Sequence, residues 1–131
     1  MENSFVITLD GFTKLFAILK KQGYDIIGPT LKDNAIYYDL LEEVDNLPIG
    51  WTDAQNRGQY RIKQREDDAY FGYNCAANTW KQFLFPPEET LYRTVLQKGK
   101  LSIKPHQPKP KKMAFLGVKA CELAAIANQD N

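Results

Sequence analysis

Glycine and proline interrupt this chain so often that no regular element within it can run long. Gly11, Gly23, Gly28-Pro29, Pro48, Gly50, Gly58, Pro86-Pro87, Pro105, Pro108, Pro110 and Gly117 cut it into short pieces. Each break removes a backbone donor or favours a turn, so the pieces between them are single strands or brief helices. Several of those pieces alternate apolar and polar residues or carry β-branched and aromatic side chains, the strand signature. A fold of class α+β is expected: a mostly antiparallel sheet, two to four helices and one long irregular loop.

Residues 4–9 read as a short strand ending at Asp10-Gly11, with Asp10 placed to cap a helix. Phe12, Leu15, Phe16 and Leu19 then recur at helical spacing and make one apolar face. Gly23 stops that helix. Tyr24-Asp25-Ile26-Ile27 and Ala35-Ile36-Tyr37-Tyr38 predict a hairpin, because Asp33-Asn34 tolerates left-handed backbone. Residues 46–58 read as the long loop, with Trp51 inside it. Gln59 to Lys63 alternates like a half-buried strand, and Ala69 to Tyr73 reads as a further strand paired with it. Thr79 to Phe85 predicts a short helix that Pro86 ends. A second helix is expected from Pro87, with Glu88 and Glu89 in its first turn. Residues 101–112 read as a solvated, proline-rich connection. Met113 to Gly117 followed by an alanine-rich run predicts strand, glycine turn and helix.

Composition narrows the function classes. With 44% hydrophobic and 25% charged residues over 131 positions, the chain has the make-up of one folded domain, and residues 1–131 are expected to form it. Seventeen basic residues against sixteen acidic leave a net charge of +1, too little for a nucleic-acid or acidic-membrane field. No apolar run reaches the roughly 20 residues of a membrane span. The first residues lack a basic stretch leading into an apolar one, so the cytoplasm is the expected compartment.

Catalytic groups are scarce. The only histidine, His106, lies in the proline-rich connection, and no glycine-rich phosphate loop occurs. Acidic pairs such as Glu42-Glu43, Asp67-Asp68 and Glu88-Glu89 read as solvated charge. Two cysteines, Cys75 and Cys121, cannot fill the four positions of a zinc or iron–sulfur site, so any cluster here must borrow ligands. Cys121 follows the Gly117 turn in the first turn of a helix, where the positive end of the macrodipole favours a thiolate. Its structural alternative is a small buried apolar residue.

Several stretches, taken in order, resemble the N-terminal region of 4Fe–4S dicluster proteins related to the β subunit of sulfhydrogenases and to the iron–sulfur component of anaerobic sulfite reductase. They are Gly28-Pro29-Thr30, Leu47 to Asp53, Tyr60-Arg61, Phe71-Gly72-Tyr73, Trp80 to Pro87, and Ala114 to Leu123. The resemblance implies electron transfer. In such proteins a ferredoxin-like C-terminal region carries two 4Fe–4S clusters, with a flavin-bearing partner on one side and a hydrogenase or reductase on the other. The family's Gly-Val-Arg-Pro-Cys-Asp-Leu motif matches Gly117 to Leu123, which makes Cys121 the matching cysteine and an iron–sulfur ligand in a longer or assembled context. Lys119-Ala120 stands for Arg-Pro and Glu122 for Asp. Because Asn131 precedes every downstream cysteine, the resemblance implies a scaffold and docking part of a longer or split protein, binding no cluster by itself. Trp51, Trp80, Phe83 and Phe85 are the expected partner contacts, with core packing as their alternative, and self-association is left open. Two other readings stand beside this one. The first is a flavin or anion-binding module built on the Gly117 turn. The second is a thiol redox protein, which needs Cys75 and Cys121 within disulfide reach.

Overall fold

The computed structural model describes residues 4–74, 76–106 and 109–129. The fold is α+β, with three α-helices and mostly antiparallel strands in small sheets among the described residues. The chain divides into two compact units, one of Met1–Thr79 with Lys112–Asn131 and the other of Trp80–Lys111.

In the first unit, helix α1 spans Leu9–Lys21. Its cap is Thr8, whose hydroxyl accepts from the Gly11 N–H at 3.1 Å, rather than Asp10. Asp10 instead pairs with Lys14 one turn on, at 2.6 Å. Residues 4–8 form no strand: Phe5 and Val6 stand in solvent. Phe16 is buried and Phe12 and Leu19 pack beside it, whereas Leu15, expected on the same face, is exposed.

Strands β1 (Asp25–Lys32) and β2 (Ala35–Leu40) form the antiparallel hairpin foreseen from Asp33-Asn34, but β1 runs on through Gly28-Pro29, expected to break it after Ile27, because both residues pair in the ladder. Both turn residues have positive φ, 49° and 58°, the twist that a two-residue hairpin turn requires. β7 (Met113–Phe115) adds to the other edge of β1 in parallel, giving the order β2-β1-β7. With a strand on each side, β1 becomes the centre of the sheet, and Ile26, Ile27, Gly28 and Pro29 are all buried. The core joins Phe16, Ile26, Leu41 and Leu47, with Ile49, Tyr70 and Leu116 packed against it. Each large aliphatic side chain so buried contributes about 1.5–3 kcal/mol.

The expected long loop is largely a second hairpin, β3 (Trp51–Asn56) with β4 (Gln59–Gln64). A 3₁₀ turn at Val44–Asn46 precedes it. Ala69 to Tyr73 is not a strand. The Arg65 guanidinium grips both carboxylate oxygens of Asp67 at 2.5 and 2.6 Å and donates to the Gly72 carbonyl at 3.2 Å, folding the segment into a turn. That fork raises Arg65 further above its already high range and holds the Asp67 carboxyl below the usual one.

In the second unit, the short helix α2 (Lys81–Leu84) stops before Pro86, as its sequence predicts. The expected helix after Pro87 is instead a strand, β5 (Tyr92–Gln97), paired with β6 (Lys100–Pro105). Part of the expected solvated connection is therefore regular structure. This unit holds seven basic residues and two acidic, a net +5, which leaves the first unit at −4. Among the described residues, no helix is long and apolar enough to cross a membrane.

Gly28 is where the sheet and the core meet most closely. A Cβ there would lie 2.7 Å from Leu41 Cδ1 and 3.3 Å from Leu116 Cβ, and Leu41 is fully buried with no room to retreat. Gly28→Ala is expected to cost about 1–3 kcal/mol, the usual cost of overpacking, read as a lowered urea midpoint with an unchanged m-value.

Candidate functional site

The first unit brings the Gly117 turn, the start of helix α3 (Ala120–Gln129) and two buried tyrosines together. Strand β7 is held in register beside β1 from Asp25–Met113 to Ile27–Phe115, and the Leu116 N–H continues the ladder to the Ile27 carbonyl at 2.8 Å. The chain must then turn off the sheet, and it does so at Gly117 with φ 72°. A side chain is excluded there twice over. The backbone is left-handed, and a Cβ would sit 2.8 Å from the Phe71 ring and 3.3 Å from the Tyr73 hydroxyl.

Helix α3 begins immediately after. Lys119 precedes its first residue and has no side-chain oxygen with which to cap it. The role passes to Glu122, whose carboxylate accepts from the Lys119 N–H at 2.9 Å, the reaching-back half of a capping box. The same carboxylate oxygen lies 3.2 Å from the Tyr38 hydroxyl, which also lies 3.1 Å from the Gly117 carbonyl. One phenol on β2 therefore donates toward both the turn and the helix cap. The Tyr73 hydroxyl stands 3.5 Å from that of Tyr38. Lys119 closes the arrangement: its ammonium donates to the Tyr73 carbonyl and lies 4.5 Å from the centre of the Tyr73 ring.

Tyr38 is itself fixed by its backbone. Asn78 brackets it, accepting from the Tyr38 N–H at 2.6 Å and donating to the Tyr38 carbonyl at 2.9 Å, while the Ala77 N–H donates to the Ile36 carbonyl at 2.7 Å. Residues 77 and 78 thus cover the outer edge of β2, which would otherwise offer free backbone groups. Asp53, 7% exposed, anchors the preceding residues by accepting from the Asn74 N–H at 2.5 Å and from Gln55 at 2.8 Å.

This frame presents Cys121 at the second position of α3 as an exposed free thiol. The alternative of a buried, apolar cysteine does not hold. A 4Fe–4S cluster takes four protein ligands, and among the described residues no group of three or more His, Cys, Asp or Glu side chains is placed to hold a metal ion. Cys75 lies outside the described residues, and so does the disulfide reach to Cys121 that the thiol redox reading needs. His106 belongs to the second unit, where its N–H donates to the Leu91 carbonyl at 2.9 Å.

The four aromatic contact candidates fare differently. Phe85 is exposed at 59%, Phe83 and Trp51 are half-buried, and Trp80, at 2%, is a packing residue. Trp51 lines an open hollow with Asn34, Tyr60, Arg61 and Ile62. Cys121 and Gly117 were legible in the sequence, but Tyr38, Tyr73, Asn78 and the part played by Glu122 were not. Only Glu122 left a signal, an acidic residue three positions after the helix cap. Comparison of the chain with protein-family models, curated proteins and solved structures finds no match in any of the three.

The tyrosines make the site sensitive to alkali. Burial pushes the Tyr38 hydroxyl far above the ordinary tyrosine range, and Tyr73 and the Glu122 carboxylate push it the same way. Burial also raises Tyr73, against a smaller lowering by its bond with Tyr38. A raised folded-state value means that the unfolded chain releases these protons first, near pH 10. The stability they confer is complete below that pH. It falls above it by up to about 1.4 kcal/mol per pH unit for each group. Tyr38→Phe is expected to cost about 1–2 kcal/mol at neutral pH. It should also flatten the loss of stability above pH 10, measured by urea titration across the alkaline range.

Proposed function

We propose that this chain is a scaffold and docking part of an iron–sulfur electron-transfer protein, of the hydrogenase or sulfite-reductase type, and that it contributes one ligand, Cys121, to a cluster completed by other cysteines. The observation that carries the reading is the contrast between Cys121 and its support. The thiol is exposed and has no neighbouring ligand set among the described residues. The turn and helix start that hold it are nevertheless fixed from two other stretches of chain, at Tyr38 and Tyr73, and by Glu122 of the helix itself. A rigid frame around an outward-facing thiol suits a ligand offered to something outside the frame, because a cluster ligand must be held in position before the cluster is assembled.

The chain's own part in that chemistry is to orient. Gly117 sets the direction in which α3 leaves the sheet, Glu122 satisfies the backbone at its start, and Tyr38 locks both to β2. A cluster, when bound, supplies the one-electron step. In this reading the partners are flavin-bearing and hydrogenase or reductase subunits, with Phe85 and the half-buried Trp51 and Phe83 as contacts.

Supplying the missing ligands as a small thiol tests this directly. Anaerobic reconstitution with iron, sulfide and excess glutathione is expected to leave a chain-bound 4Fe–4S chromophore that Cys121→Ser abolishes. Failure to bind any cluster under these conditions, or binding that survives Cys121→Ser, would overturn the assignment. Flavin absorbance in the purified protein would instead favour an anion-binding role for the Gly117 turn.

A further inference from the structure

Tyr60 divides a groove that runs along the β3–β4 hairpin. Its side chain crosses from β4 to β2, where the Tyr60 hydroxyl accepts from the Ile36 N–H at 3.4 Å. Two open hollows share Asn34 and Tyr60 as a common wall. Trp51 and Ile62 line the first, of about 480 Å3, and Tyr37 and Gln55 line the second, of about 510 Å3. All of these residues belong to the first unit. The strand register puts Trp51, Gln55, Tyr60 and Ile62 on one face of the hairpin. Trp51 and Gln55 are four residues apart on β3, which makes the groove roughly 13 Å long.

The lining sets the chemistry of a ligand. Trp51, Tyr37 and Tyr60 are each half-buried, so each shows part of a flat apolar ring. Asn34 and Gln55 are exposed amides, whose N–H groups donate to carbonyl oxygens. Gln55 is steadied by its bond to Asp53 at 2.8 Å. Among the described lining residues, one cation, Arg61, balances one anion, Asp33, so the groove selects neither a polyanion nor a polycation. The hollows are also open, and an open site retains only a ligand that loses little freedom on binding. A polyproline II helix meets each of these conditions. Its prolines offer flat apolar rings, its carbonyls have no internal partners, and its conformation is set before it binds. At about 3.1 Å per residue and three residues per turn, about four residues fill the groove, and prolines one turn apart fall on either side of Tyr60.

We propose that this groove recognises a proline-rich peptide of a partner protein in the polyproline II conformation, with its rings on Trp51, Tyr60 and Tyr37 and its carbonyls on Asn34 and Gln55. The inference does not rest on the cluster-ligand role of Cys121.

Trp51 reports on the groove directly, because the chain's other tryptophan, Trp80, is only 2% exposed. Titration of the full chain with decaproline is expected to quench and shift the tryptophan emission and to saturate, with a midpoint below about 1 mM. A glycine–serine peptide of equal length should leave the emission unchanged. Tyr37→Thr, which keeps strand propensity, is expected to weaken binding at least tenfold. Asn34→Gly removes an amide while leaving an Asp-Gly pair suited to the turn, and is expected to weaken it severalfold. Backbone amide shifts on the wild type guard against misfolded variants: residues 34–37, 51–55 and 60–62 should move with the same midpoint as the emission. Decaproline that gives no saturable change would overturn the proposal, as would binding indifferent to both variants or shifts confined to other residues. Maltotriose binding in the groove where decaproline does not bind would make it a sugar site and overturn the proposal equally.

Discussion

The absence of a side chain at Gly28 is the constraint on which the rest of the first unit depends. β1 carries a strand on either edge and is covered by the core, so three crowded surfaces meet around its middle. Leu41, arriving from the end of β2, and Leu116, arriving from the end of β7, occupy the space that any Cβ at Gly28 would need. Two segments far apart in sequence are thereby packed against one point of backbone. Protein interiors tolerate little misfit, so this contact also fixes how far β7 runs before Gly117 turns the chain away.

From that turn onward, control passes from apolar packing to hydrogen bonds. Tyr38, on the strand farthest from β7, reaches Gly117 and Glu122, and Tyr73 and Lys119 close the ring of contacts. Satisfied polar networks of this kind are directional where apolar contacts are not, and they hold a unique arrangement. The first turn of α3 is therefore positioned by groups on β2 and on the Arg65-clamped segment, and not by its own sequence alone.

Much of this architecture was legible in the sequence wherever periodicity and turn chemistry agreed. The β1–β2 hairpin could be read because Asp33-Asn34 tolerates positive φ, and α1, α2 and α3 because their breakers are glycine or proline. β3 was obscured because its inward-facing position is Asp53, a carboxylate whose burial is made tolerable by Asn74 and Gln55, so hydrophobic alternation fails at the point where the strand is most buried. β5 and β6 were obscured by Glu88-Glu89, which mimic a helix start, and by lysines that mimic a solvated linker while alternating with Leu101 and Ile103. The aromatic run at Tyr70 and Phe71 suggested a strand, yet both rings pack edge-on against Phe12, which strand alternation forbids and a turn permits. At the site, Cys121 and Gly117 were visible from local context. Tyr38 was not, since its partner Glu122 is 84 residues away and no local pattern encodes so distant a bond.

The parallel pairing of β1 with β7 joins residues 25–27 to residues 113–115. During synthesis the first hairpin and its covering helix can form early, but β1 then waits with one edge open while the 75 residues from 41 to 115 are made. At ordinary rates of elongation that interval is roughly 4–15 s, far longer than the microseconds a hairpin takes to close. Throughout it, the most buried strand of the finished protein is an unpaired edge. A nascent chain of this kind meets its aggregation hazard before it is complete, and the delay is written into the order of its strands.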